Sequence, residues 1–195
     1  MSKYIALEGG DGAGKSTVAA ALARRLEEAG KEVISVREPG GTKLGEAIRA
    51  LLLESERVDD WAEVFLFAAQ RAELARQVIA PALEAGVWVI SDRSYYSSIA
   101  YQGRGRGLGE EEVRAVNERG LGGVLPDHVF ALDVAPAVAL SRQDGEDRIG
   151  KEGVEFQAAV RRAYRDLARR DEKVTLLPGA LSVGEMVDRI AEVVS

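Results

Sequence analysis

The segment GGDGAGKST, Gly9 to Thr17, constrains what this chain can become more than any other stretch. It fits the pattern G-x-x-x-x-G-K-[ST], follows the apolar run YIALEG and opens a helical pattern from about Lys15 to Ala29. In that setting the backbone amides of Gly12, Gly14 and Lys15 can wrap a phosphate chain, and the helix N-terminus adds partial positive charge. Lys15 then reaches the outer phosphates, and Ser16 can ligate Mg²⁺. Gly9, Gly10, Asp11, Gly12, Ala13, Gly14, Lys15, Ser16 and Thr17 are therefore the expected triphosphate-binding residues, with ATP or GTP as the ligand. The bland alternative is an ordinary glycine turn that caps a helix.

The rest of the chain repeats the same alternation of short β-branched runs and longer helical patterns. EVISV precedes a helix over 43–54, and a long helix from Trp61 to Ala85, bent at Pro81, precedes VWVIS. Further helices are expected from Ser94, over 110–119, from Pro136, over 155–170 and from Ser182, with HVFALDV and KVTLL as the remaining strands. Five apolar strands separated by helices predict an α/β fold of the P-loop NTPase kind: a five-stranded parallel sheet flanked by helices on both faces. Ligands in such folds gather at the carboxyl ends of the strands. With 195 residues, 46% of them hydrophobic and 30% charged, the chain is expected to form a single domain over 1–195.

Composition removes several function classes. Cysteine is absent and His128 is the only histidine, which excludes disulfides, cysteine nucleophiles and histidine-cluster metal sites. A net charge of −6 argues against binding a nucleic-acid polymer, so any phosphate chemistry must come from a few local basic residues. No apolar run reaches the roughly 18 residues that cross a bilayer, and MSKYIALEGG lacks the pattern of a signal peptide. A cytoplasmic protein with no membrane partner is expected.

Nucleotide binding alone does not separate a switch from an enzyme. A GTPase switch needs an N-K-x-D segment, whereas the lone Asn117 is followed by Glu118 and Arg119. A kinase needs a second pocket for an acceptor, and the strand ends supply one. REPGGT places Arg37 after the second strand, and Asp92 and Arg93 follow the third. Two guanidinium groups converging on one cleft suit a dianionic phosphate. Phe67 and Arg71, four residues apart on one helix face, pair an aromatic ring with a planar donor, the combination that stacks on a base and reads its edge. In DRSYYSSIAYQG, residues Ser94, Ser97, Ser98 and Tyr101 share a helix face that is polar where a core helix would be apolar. Each residue also has a plainer reading: ion pairing at the surface for the arginines, core packing for Phe67 and helix capping for Asp92.

EGGDGAGKST, REPGGT, FAAQRAE, DRSYYSSIAYQG and DRIGKEG occur in the order and spacing of bacterial thymidylate kinases, and the resemblance runs from about Tyr4 to the C-terminus. It implies transfer of the γ-phosphoryl of ATP, with Mg²⁺, to dTMP, by an ATP-dependent phosphotransferase that forms a homodimer. It gives the acceptor phosphate to Arg37 and Arg93, the thymine ring to Phe67 and Arg71, the base edge to Ser98, the sugar face to Tyr101 and the 3′-hydroxyl to Asp11, with Gln102 near the base. The hydroxyl face from Ser94 to Tyr101 would then line the acceptor cleft. Ser16 and Asp92 are the implied metal ligands, and Lys15, Asp92, Arg93, Arg142 and Arg148 the implied catalytic set. Because Gly12 stands where some family members carry an arginine, the charge on the transferred group falls to a lid over 141–153, at Arg148, Arg142 or Lys151. Another P-loop nucleoside or nucleotide kinase is the nearest alternative, and a non-enzymatic nucleotide-binding switch the more distant one.

Overall fold

The computed structural model describes residues 2–142 and 152–194. The five strands β1 (Tyr4–Gly9), β2 (Val33–Arg37), β3 (Trp88–Asp92), β4 (His128–Asp133) and β5 (Val174–Pro178) form one sheet in the order β2-β3-β1-β4-β5. Every pairing is parallel, with Leu7 of β1 beside Asp92 of β3 and Phe130 of β4. The central position of β1 explains its apolar sequence, since a parallel strand covered on both faces has no solvent side. It also carries the glycine segment to the middle of the carboxyl edge.

Successive side chains of β1 point to opposite faces, and each face has its own core. Ile5 and Leu7 pack with α1 (Lys15–Glu28) and α9 (Val183–Val194), where Val18, Leu22, Leu26, Val187 and Ile190 recur at helical spacing. Ala6 faces the other core, built from α2 (Lys43–Glu54), α3 (Asp60–Leu74), α5 (Tyr95–Ser98) and α8 (Gly153–Arg170). Burying a side chain such as Leu22 or Leu52 contributes about 2 kcal/mol. Glu8, next in the alternation, points into this second layer as well, and is fully buried.

Two expected helices differ in detail. The long helix is α3, then a π-helical turn at Ala75–Ile79, then α4 (Ala80–Glu84). Pro81 has no N–H for the carbonyl four residues back, and the turn before it is wider than an α-turn. The helix expected from Ser94 is a single α-turn, α5, that runs on as a π-helical segment, Ile99–Gly105. Beyond it, α6 (Glu110–Leu121) packs on α3, and the short α7 (Pro136–Leu140) follows β4.

Candidate active site

The glycine segment leaves β1 with Gly9, Gly12 and Gly14 at φ 138°, 75° and 95°, backbone that favours glycine, and α1 begins at once with Lys15. The Lys15 ammonium is buried and donates to the carbonyls of Gly10 at 2.8 Å and Gly9 at 3.3 Å. Burial and the charge of Arg93 pull its pKa down to about 8, although Asp11, Asp92 and Glu8 oppose the shift. Ser16 Oγ donates to Asp92 Oδ2 at 2.5 Å, which brings two hard oxygens together at the start of α1. Oxygen donors of this kind fit Mg²⁺.

Arg93 is the one non-glycine among the described residues with a left-handed backbone, φ 79°. Such a conformation costs on the order of 1–3 kcal/mol and persists only where its surroundings hold it. Here the Arg93 N–H donates to Leu7 O at 2.9 Å, and its carbonyl accepts from Ser91 Oγ at 2.5 Å. Its guanidinium donates to Gly9 O at 3.3 Å, Ser97 Oγ at 3.1 Å and Tyr101 OH at 3.3 Å, pairs with Asp11, and lies 5.1 Å from the centre of the Tyr101 ring. Burial raises the Asp11 carboxyl, but Arg93, Lys15 and a 2.8 Å hydrogen bond from Gln157 Nε2 outweigh it and leave the pKa below the usual value.

A second arginine is held as firmly. Arg71 is buried, with Nε donating to Glu38 Oε2 at 2.6 Å and Nη1 donating to Ser98 Oγ at 2.6 Å and Asn117 Oδ1 at 2.8 Å. Its guanidinium lies 5.2 Å from the Phe67 ring centre. Arg37 differs: it is half exposed, with Nη2 donating to both carboxylate oxygens of Glu46 at 3.0 Å.

Two cavities meet at the glycine segment. One, of about 300 Å³, is lined by Asp11, Lys15, Ser16, Arg37, Phe67, Arg71, Asp92, Arg93, Tyr101 and Gln102, all expected from sequence. The other, of about 530 Å³, is lined by Gly12, Ala13, Gly14, Thr17, Arg142, Gly179, Leu181 and Met186 among others. Gly12, Lys15 and Ser16 border both.

The hydroxyl face of α5 only partly matches its expected place. Ser97 and Tyr101 line the first cavity, but Ser98 serves Arg71, and Ser94 donates to Glu8. The helix cap is Ser94, whose Oγ accepts from Tyr96 N at 3.3 Å, and not Asp92. Gln102 lines the cavity while donating to Glu63 Oε1 at 2.7 Å. Arg142 is exposed on the second cavity, and the expected lid residues Arg148 and Lys151 lie outside the described residues. Sequence reasoning missed Glu38, Arg49 and Glu8. A signal existed for two of them: Glu38 directly follows Arg37 at a strand end, and Glu8 is a charge inside an apolar central strand.

A glycine cradle at a helix start, with a buried lysine between two cavities, is the arrangement of a P-loop phosphotransferase fold. The family model for thymidylate kinase matches residues 7–190. A protein named thymidylate kinase from Synechococcus sp. (strain JA-3-3Ab) is 44% identical over 192 residues, which cover 98% of this chain and 94% of the relative. One so named from Fervidobacterium nodosum is also 44% identical, over 97% of both chains, and one from Francisella tularensis subsp. tularensis is 40% identical over 97% of this chain and 94% of its own. The chain belongs to the thymidylate kinase family.

Proposed function

We propose that the 300 Å³ cavity holds dTMP, that the 530 Å³ cavity holds ATP, and that the two meet end to end at Lys15. The enzyme is a nucleoside monophosphate kinase: an oxygen of the dTMP phosphate attacks the γ-phosphorus of ATP, the bond to the β–γ bridging oxygen breaks, and dTDP and ADP leave. The observation that carries the arrangement is that Gly12, Lys15 and Ser16 border both cavities while Arg37 and Arg93 border only the acceptor one.

The residues then divide the work. The glycine amides and Lys15 hold the donor phosphates, and Arg37 and Arg93 hold the acceptor phosphate against them. Like-charged reactants are thereby aligned, which is most of what phosphoryl transfer requires. Phe67 stacks on thymine, Arg71 reads its edge with Ser98 behind it, and Gln102 sits beside it. Tyr101 closes the sugar side, and Asp11 faces the 3′-hydroxyl. Ser16 and Asp92 would hold Mg²⁺, with phosphates and water completing its shell. When bound, the ion neutralises charge on the β- and γ-oxygens. Arg148 and Arg142 supply positive charge to the transferred group, so Arg148→Ala should slow turnover far more than it weakens dTMP binding. Gly179 and Leu181, which follow β5 and line the same cavity, face the adenine.

We also propose a cytoplasmic homodimer. No helix among the described residues is long and apolar enough to cross a membrane. Leu44, Leu51 and Phe65 stand exposed on α2 and α3, an apolar face that a second copy would cover. Sedimentation at micromolar concentration would show a monomer if this is wrong. The substrate assignment is tested by coupled ADP release with dTMP, dUMP, CMP and AMP as acceptors. A clear preference for dTMP in kcat/KM is expected, and equal rates would overturn it.

A further inference from the structure

β1 is apolar until Glu8, the residue before the phosphate loop, and the Glu8 side chain is fully buried. Removing a carboxylate from water is costly unless hydrogen bonds replace its hydration. Among the described residues, the donors that do so are neutral. Oε1 accepts from Ser94 N at 2.7 Å, Ser94 Oγ at 2.8 Å and Ser97 N at 3.2 Å, and Oε2 accepts from Ser97 Oγ at 2.6 Å and Tyr164 OH at 2.7 Å. One side chain therefore joins β1 to the first turn of α5 and to α8.

These contacts converge on Arg93. Ser94, whose N–H and hydroxyl are both held, is its neighbour in the chain, and Arg93 itself carries the left-handed backbone. Ser97 Oγ gives its proton to Glu8 and accepts from Arg93 Nη1 at 3.1 Å, while the same Nη1 reaches Gly9 O, one residue after Glu8, at 3.3 Å. A hydroxyl that donates to a carboxylate is polarised and becomes a better acceptor. We propose that Glu8 is a positioning residue for phosphoryl transfer: through Ser97 and the start of α5 it fixes the Arg93 guanidinium at a set distance from the phosphate loop. It touches no substrate. This deepens the reading of Arg93 as the acceptor-phosphate ligand and rests on it.

Glu8→Gln is the discriminating variant. Oε1 faces both backbone donors and must remain oxygen, whereas Oε2 faces two hydroxyls that can turn, so the amide can put its NH₂ there and the fold can persist. Ser97 Oγ would then receive hydrogen bonds from both the introduced amide and Arg93, and lose the carboxylate that polarises it. A fall of at least about tenfold in kcat/KM for dTMP is expected, with KM for ATP within about twofold and Tm within about 3 °C. Tyr164→Phe, which deletes one donor to Oε2 and the 3.3 Å contact of Tyr164 OH with Ser97 Oγ but leaves the Glu8 carboxylate in place, should give the same split at about threefold. Glu8→Gln with unchanged dTMP kinetics, or with equal losses toward both substrates that follow a lowered Tm, would overturn the proposal. If Glu8→Gln does not fold, the Tyr164→Phe split decides in its place. Arg93→Ala is measured alongside: if it too leaves the dTMP kinetics intact, the reading of Arg93 fails, and if it does not, only the role of Glu8 is lost.

Discussion

The two cavities that meet at Lys15 are built of different material. The proposed donor side is lined by Gly12, Ala13, Gly14 and Gly179 with small polar and apolar residues, and among the described residues its one charged side chain beyond Lys15 is the exposed Arg142. The proposed acceptor side is lined by long side chains from β2, α2, α3, β3 and the π-helical segment Ile99–Gly105, and two of its arginines are already engaged: Arg71 with Glu38, Ser98 and Asn117, Arg93 with Asp11, Ser97 and Tyr101. A main-chain cradle serves any phosphate chain, so it needs no further specificity. A wall of fixed side chains reads one particular molecule, and those side chains are also part of the core. Function and folding are thus separable on the donor side and shared on the acceptor side.

The largest expected effect tests the donor half of this contrast. Lys15→Ala should lower kcat by about 10³-fold or more, because neutralising charge on the transferred phosphoryl is the main catalytic term. Its Tm should not fall. Burial holds the Lys15 pKa near 8, so the folded state disfavours the ammonium and its loss removes a desolvated charge. A Tm drop of several degrees in this variant would erase the distinction between the two sides.

Arg71→Ala should show the opposite balance. Arg71 and Glu38 are 1% and 2% exposed, and removing the arginine strands a buried carboxylate that burial already pushes upward in pKa. Breaking such a pair costs about 3–5 kcal/mol, which lowers Tm on the order of 10 °C for a chain of this size. Activity toward dTMP should fall with it. Glu38→Gln in the same background, measured by thermal melting, should recover part of the stability and none of the dTMP affinity.

The same contrast explains what could be read without coordinates. Gly9 to Thr17 is contiguous, so the donor cradle and its place between β1 and α1 are visible in one dimension, as is the parallel sheet from the spacing of apolar runs. The acceptor wall is not local: the partners of Arg71 lie 33, 27 and 46 residues away. Helical spacing put Ser94, Ser97, Ser98 and Tyr101 on one polar face, but it could not show that Ser94 caps the helix, or that Glu8 from β1 and Arg71 from α3 claim Ser94 and Ser98 before any ligand can. The π-helical segments were also hidden, since the apolar pattern changes little when one turn widens by a residue.

Ser16→Ala is expected to have an intermediate effect and sharpens the comparison on the metal. It removes one hard oxygen and leaves the Asp92 carboxylate without its 2.5 Å donor. The Mg²⁺ concentration for half-maximal rate should rise about 10- to 100-fold, with Tm unchanged, as read from a magnesium titration at saturating ATP and dTMP. An unaltered magnesium requirement would remove Ser16 from the metal site.

The smallest effect lies at the seam between the sheet and α8. Asp133, the last residue of β4, accepts from Arg161 Nε at 2.5 Å and from Arg165 Nη2 at 2.7 Å, tying the end of the sheet to α8. Burial raises its pKa, but the hydrogen bonds from Arg165 and Arg161 and their charges outweigh this and hold it below the usual value. A carboxylate with a lowered folded pKa contributes stability that is complete above its unfolded pKa of about 3.9 and disappears as pH falls through the folded value. Both arginines are partly exposed, so solvent screening keeps the contribution to about 1 kcal/mol or less. The Tm of Asp133→Asn should therefore lie about 2–4 °C below that of the parent at pH 7, and the two should converge as pH drops below about 4. If the gap persists at low pH, it comes from packing at the seam rather than from charge, and α8 is held there by the same kind of contact that builds the acceptor wall.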